Sequence, residues 1–278
     1  MYWFLFFGLV VPSAFLVLAF LSPTQRQVRR WGAVCDVVVT TSNLELIRSH
    51  LCRIRRFRSV AAFPFWWLAV APTVAPDRVP RVLATPTIAI AAYAVGGLIG
   101  ELTSKPPPAD SVRQASLVPR KVGDFHGGRL RLIPWVLLAV AAGLLVMAPS
   151  TNPNGSHQRE GAVALFGAIV LCAFAEFASR RIVARPQRSG DIDVLAADDG
   201  LRAAGVATAL STAGLAGLMA VGYTGAAASQ IQRGWAAFGQ GMAALVMYSL
   251  GIGLLCTIVR QETWGYRRRH RQTNPVPA

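Results

Sequence analysis

The chain has 278 residues, of which 53% are hydrophobic and only 15% charged, with a mean hydropathy of +0.43 and a formal charge of +15 at neutral pH. A pI near 11.2 raises nucleic acid as a partner, but no groove-reading or RNA-binding motif accompanies the charge, so no nucleic-acid role is expected. An apolar chain whose positive charge must lie on one side of a membrane accounts for both numbers.

Seven apolar runs follow one another, at about Tyr2 to Leu21, Val60 to Ala75, Val82 to Gly100, Leu132 to Ala148, Gly161 to Ala178, Ala203 to Gly222 and Trp235 to Val259. They correspond to the roughly 17 to 25 residues that a helix needs to cross a hydrocarbon core. Of the 28 Lys and Arg residues, 24 fall in four alternating gaps between these runs. The other gaps hold only Arg78, Arg81, Arg159 and Arg233. Short basic loops stay cytoplasmic, so the expected fold is an all-α polytopic transmembrane bundle of about seven spans over residues 1–278, one domain, with its N-terminus outside and its C-terminus in the cytoplasm.

The first run lacks a basic segment ahead of it and is expected to be a retained helix rather than a cleaved signal peptide. After it comes a cytoplasmic stretch, residues 24–59, that reads as an amphipathic helical hairpin. Val28, Trp31, Val34, Cys35, Val38 and Val39 recur at helical spacing, Thr40, Thr41, Ser42 and Asn43 interrupt, and Leu44, Ile47, Leu51, Ile54 and Phe57 resume the pattern. Arg48, Arg53, Arg55, Arg56 and Arg58 crowd the second half, which suits packing under the bundle or lying on the inner leaflet. The second run holds Trp66 and Trp67 between Pro64 and Pro72 and is expected to be short and kinked.

Runs three to six form two hairpins with similar inner ends. Glu101 precedes Lys105 by four residues, and Glu176 precedes Arg180 by four. Charge near lipid is costly and marks function, so Glu101 and Glu176 are the candidates for binding a cation or polar substrate. The alternative is two boundary ion pairs, Glu101 with Lys105 and Glu176 with Arg180, at the favourable spacing of four. The segment Gly190-Asp191-Ile192-Asp193 with Asp198-Asp199-Gly200 lacks the spacing of an EF-hand and reads as a solvated helix start. Gly205, Ala209, Ala213 and Gly217 in run six, and Ala92, Gly96 and Gly100 in run three, form stripes of small residues that let helices approach closely.

Chemistry is sparse elsewhere. The four histidines are scattered, no Cys/His spacing suits a metal, and no nucleophile motif or phosphate loop occurs, so no catalytic residue, metal or cofactor is expected. The basic tail, residues 260–278, carries Arg267, Arg268, Arg269 and Arg271 beside Trp264 and Tyr266, and is the candidate contact for anionic inner-leaflet lipid.

The segments Val39-Thr40-Thr41-Ser42-Asn43-Leu44-Glu45, Arg53-Ile54-Arg55-Arg56-Phe57-Arg58, Ser116-Leu117-Val118-Pro119-Arg120 and Ala196-Ala197-Asp198-Asp199-Gly200-Leu201-Arg202 resemble uncharacterised integral membrane proteins of high-GC actinobacteria. An excess of arginine over lysine, which occurs only at Lys105 and Lys121, agrees with that source. The resemblance implies a multi-pass protein of a bacterial plasma membrane and no activity. The expected role is therefore a non-enzymatic scaffold or a subunit that docks a protein partner, or a second copy of itself, through its basic cytoplasmic face. The alternative is a transporter or permease with Glu101 and Glu176 at its inner mouth.

Overall fold

The computed structural model describes residues 19–70, 86–104, 122–125, 128–147, 156–186 and 191–228, together with Ser13, Leu16 and Val17. Among them are six α-helices and no strand: α1 (Gln25–Cys35), α2 (Thr41–Val70), α3 (Pro86–Leu102), α4 (Leu132–Met147), α5 (Ser156–Val183) and α6 (Ile192–Ala228). Most of the first apolar run, all of the seventh and the basic tail lie outside the described residues.

The chain forms two compact units, whose boundary falls within α5 after Ser179 and within α6 after Thr208. The first comprises the chain up to Val122 with residues 180–208, and the second the remainder.

In the first unit, α1 starts on a capping box. The Thr24 hydroxyl accepts from the Gln27 backbone N–H and the Gln27 side chain accepts from the Thr24 N–H, which satisfies two donors that the first turn would leave bare. The helix ends at Cys35, short of the Val39 that the apolar spacing suggested. Asp36 adopts a left-handed conformation (φ 52°), and Val37 turns back so that its N–H donates to the Gly32 carbonyl at 2.9 Å. Val28, Val37, Ile47 and Ala197 then close into a core under Trp31, Leu44 and Leu51. Burying each branched side chain contributes about 1.5–3 kcal/mol relative to water.

The interruption read at Thr40 to Asn43 is the start of α2. Asn43 is fully buried; its Oδ1 accepts from the Thr40 N–H at 2.9 Å, and its amide donates to Val38 O at 2.8 Å and Asp193 O at 3.2 Å. That one side chain fixes the turn and ties it to the first turn of α6. From there α2 continues without a break through 30 residues to Val70, with Pro64 inside it. The arginine-rich half of the hairpin and the beginning of the second apolar run are one helix rather than two elements. Nothing local stops it at Ser59: no glycine or helix-breaking cluster occurs there, and the change from basic to apolar residues alters the environment, not the backbone.

The small-residue stripe of α3 lies against α2. A Cβ on Gly96 would stand 2.7 Å from the Ala61 side chain and 2.9 Å from the Arg58 Cα, and one on Gly100 would stand 3.1 Å from Ile54. Its partner is thus a helix of the same chain. In the second unit, Gly217 of α6 gives similar close passage to α4, since a Cβ there would meet Leu137 at 2.8 Å.

Among the described residues two helices are long and apolar enough to cross a membrane, within Gln158–Val183 and Ile192–Gly225; the apolar stretches of α3 and α4, Ile88–Leu102 and Leu132–Met147, are shorter. They differ in burial. The most apolar window of α6 is 67% buried, whereas that of α5 is 28% buried and exposes Val163, Phe166, Val170 and Phe177 at helical spacing. A face of that kind is unfavourable in water and favourable in lipid, which agrees with membrane association.

Candidate functional site

Glu101 stands one residue before the end of α3 and is 3% exposed. Its Oε1 lies 3.2 Å from Nε2 of His50, on α2, and its Oε2 lies 3.9 Å from Nη1 of Arg185, just beyond α5. Gly205 of α6 lets the carboxylate lie directly against that helix, as a Cβ there would approach the Glu101 carboxyl carbon and Oε2 to 3.1 Å and Ile182 to 3.2 Å. Glu101 Oε2 and Arg185 Nη2 are buried without a hydrogen-bond partner. Burial pulls the Arg185 guanidinium below the usual arginine range; the charges of Arg202 and Arg53 act in the same direction, while Glu101 and Asp198 oppose them. The expected pair with Lys105 lies outside the described residues. The contact with His50 is one that sequence spacing did not suggest, because 51 positions separate the two residues and neither belongs to a shared motif.

A second buried network adjoins this one in sequence. Arg202 of α6 pairs with Asp198 one turn earlier, its Nη2 2.8 Å and its Nε 3.1 Å from Oδ2. The same guanidinium donates to the carbonyls of Val183 and Arg185 through Nη1, at 3.3 and 2.8 Å, and of Pro186 through Nη2 at 2.9 Å. These include the last residue of α5, so Arg202 acts as its C-terminal cap, satisfying acceptors that a helix end leaves open. Asp191 and Asp193 do stand at a helix start, where the Asp191 carbonyl accepts from the N–H groups of Val194 and Leu195. Asp198 instead lies buried inside the helix. Among the described residues no group of three or more His, Cys, Asp or Glu could hold a metal.

Glu176 belongs to the second unit and forms an ion pair with Arg131, the residue before α4. The pair borders a cavity of about 20 Å³ reached also by Trp135, Cys172 and Ser179, space for roughly one water. The two carboxylates therefore have different partners and different settings. α3 ends beside Glu101, whereas α5 continues from Glu176 to Val183.

The four small residues of run six are buried or closely packed, and each serves a local purpose. Gly205 backs the Glu101 carboxylate, Ala209 is fully buried, the Ala213 carbonyl accepts from the Cys172 thiol at 3.5 Å, and Gly217 admits α4. Arg267, Arg268, Arg269 and Arg271 lie outside the described residues.

Among the described residues, these features define an all-helical arrangement with two helices long and apolar enough to span a membrane. No family model, curated protein or solved structure matches the chain.

Proposed function

We propose that the chain is a multi-pass component of a bacterial plasma membrane, of about seven spans and akin to the actinobacterial proteins it resembles, that docks a partner protein on its basic cytoplasmic face and carries out no chemistry itself. The observation that carries this reading is the way the α1–α2 hairpin is held. Asn43 binds it to the start of α6, and His50 meets Glu101 of α3, so the exposed arginines Arg26, Arg29 and Arg30 of α1 stand on a fixed platform. A rigid array of guanidinium groups steers and orients an acidic partner at little entropic cost. Anionic lipid is the expected second contact, through the tail arginines Arg267, Arg268, Arg269 and Arg271.

A photo-cross-linking residue at position 29 or 30 tests the docking role in intact cells. The expected result is one discrete protein adduct that disappears when Arg26, Arg29 and Arg30 are all changed to Gln. Only diffuse adducts, or an adduct indifferent to those changes, would sink the proposal.

A permease guarded by Glu101 and Glu176 is the second reading, and the unsatisfied Oε2 of Glu101 is what favours it. It requires ion or solute flux into proteoliposomes that falls when both carboxylates are changed to Gln.

A further inference from the structure

The face of α2 opposite α3 forms one wall of an open groove of about 570 Å³, within the size range of ligand clefts. Arg48, Ser49, Cys52, Arg53 and Arg56 recur at spacings of three and four and so share that face. Ser22 and the buried Pro23, at the end of the first apolar run, form the other wall. The two walls are tied together. Arg55 donates to Gln27 Oε1 at 3.2 Å and to Leu21 O at 3.5 Å, and the Arg56 guanidinium stands 5.5 Å over the Phe20 ring. Val17, Phe20 and Leu21, the apolar residues that precede Ser22 in the chain, are all more than half exposed.

Three guanidinium groups and the Ser22 hydroxyl line this space, the Ser49 hydroxyl donates to the Leu46 carbonyl at 3.0 Å, and Glu45 lowers the net lining charge to about +2. Planar forks of N–H donors match the oxygens of a phosphate, and Val17, Phe20 and Leu21 match acyl chains rather than water. We propose that the groove binds the phosphate of an anionic glycerophospholipid at the inner surface of the membrane. The proposal rests on the cytoplasmic placement of the α1–α2 hairpin. A soluble phosphate shares the recognition chemistry but makes no use of Val17, Phe20 and Leu21.

Native mass spectrometry of the detergent-purified full chain, with phosphatidylglycerol and phosphatidylcholine as probes, tests it. Phosphatidylglycerol is expected to survive delipidation and phosphatidylcholine to be lost. Changing Arg48, Arg53 and Arg56 to Gln should weaken retention about a hundredfold. The corresponding triple Arg→Lys variant keeps the charge and should still prefer phosphatidylglycerol, which separates loss of the site from loss of the fold. Equal retention of the two lipids, or no effect of the triple Gln variant, overturns the site. Binding of inorganic phosphate or glycerol phosphate as tight as that of the lipid overturns the lipid assignment. Because binding is read in detergent, it stands or falls separately from sidedness, which reporter fusions at Arg48 measure on their own.

Discussion

At the scale of single residues, the first unit is held by polar side chains that each answer several backbone or charged groups. Glu101 faces both His50 and Arg185 from a site closed to water. Removing one member of such a cluster costs more than the contacts it made, because the charge left behind remains buried. Glu101→Ala is therefore expected to destabilise the chain by about 3 kcal/mol, read as a lower unfolding midpoint in detergent, with Glu101→Gln recovering part of it. A stability unchanged by the alanine would mean that water reaches the carboxylate after all. Arg202 and Asn43 belong to the same class of residue. Neither was legible as a connector, since a cap on α5 supplied from α6 and a latch from α2 to α6 depend on the tertiary path of the chain, not on local spacing.

At the scale of elements, the sequence was most readable where the pattern is local. The turn at Thr40 to Asn43 and the apolar helices α3, α4, α5 and α6 follow from periodicity and composition, and the structure contains them. The continuity of α2 was hidden because its residues change character at Ser59 while their backbone preference does not. The glycine stripe of α3 was visible as a stripe, but its partner was not; the proximity of Gly96 to Ala61 and Arg58 identifies α2. Gly96→Leu is accordingly expected to force α2 and α3 apart at a cost of about 1–3 kcal/mol. Gly143→Ala in α4, where a Cβ would meet nothing within 4 Å, should instead stabilise by about 0.5–1 kcal/mol by removing backbone freedom. Unfolding of both variants in the same detergent checks the pair, and the reverse order would contradict the packing described here.

At the scale of the whole molecule, orientation is the property on which the proposed role depends. In the proposed orientation, the loops around Lys105 and Arg185 share a compartment with the α1–α2 hairpin. Paired fusions to alkaline phosphatase and green fluorescent protein at those two positions are expected to fluoresce and to lack phosphatase activity. Phosphatase activity at either one would place a basic loop outside and remove the docking face from the cytoplasm. Changing Arg48, Arg53 and Arg56 to Glu should weaken the bias of basic residues that sets this orientation and increase the fraction of inverted chains, measured by the same fusions.

The unbroken course of α2 gives the chain a stiff rod about 45 Å long, at about 1.5 Å per residue over its 30 residues. With no joint between the guanidinium-bearing end and the apolar end, a tilt imposed on Arg48 is carried to Ala62 as a swing of the same axis, and Pro64 lies beyond that span, where a helix bends readily. An event at the arginine-rich end would thus reach the apolar end mechanically. Spin labels at positions 49 and 60 should keep a constant separation when phosphatidylglycerol is added, and a changed separation would reveal a joint between them.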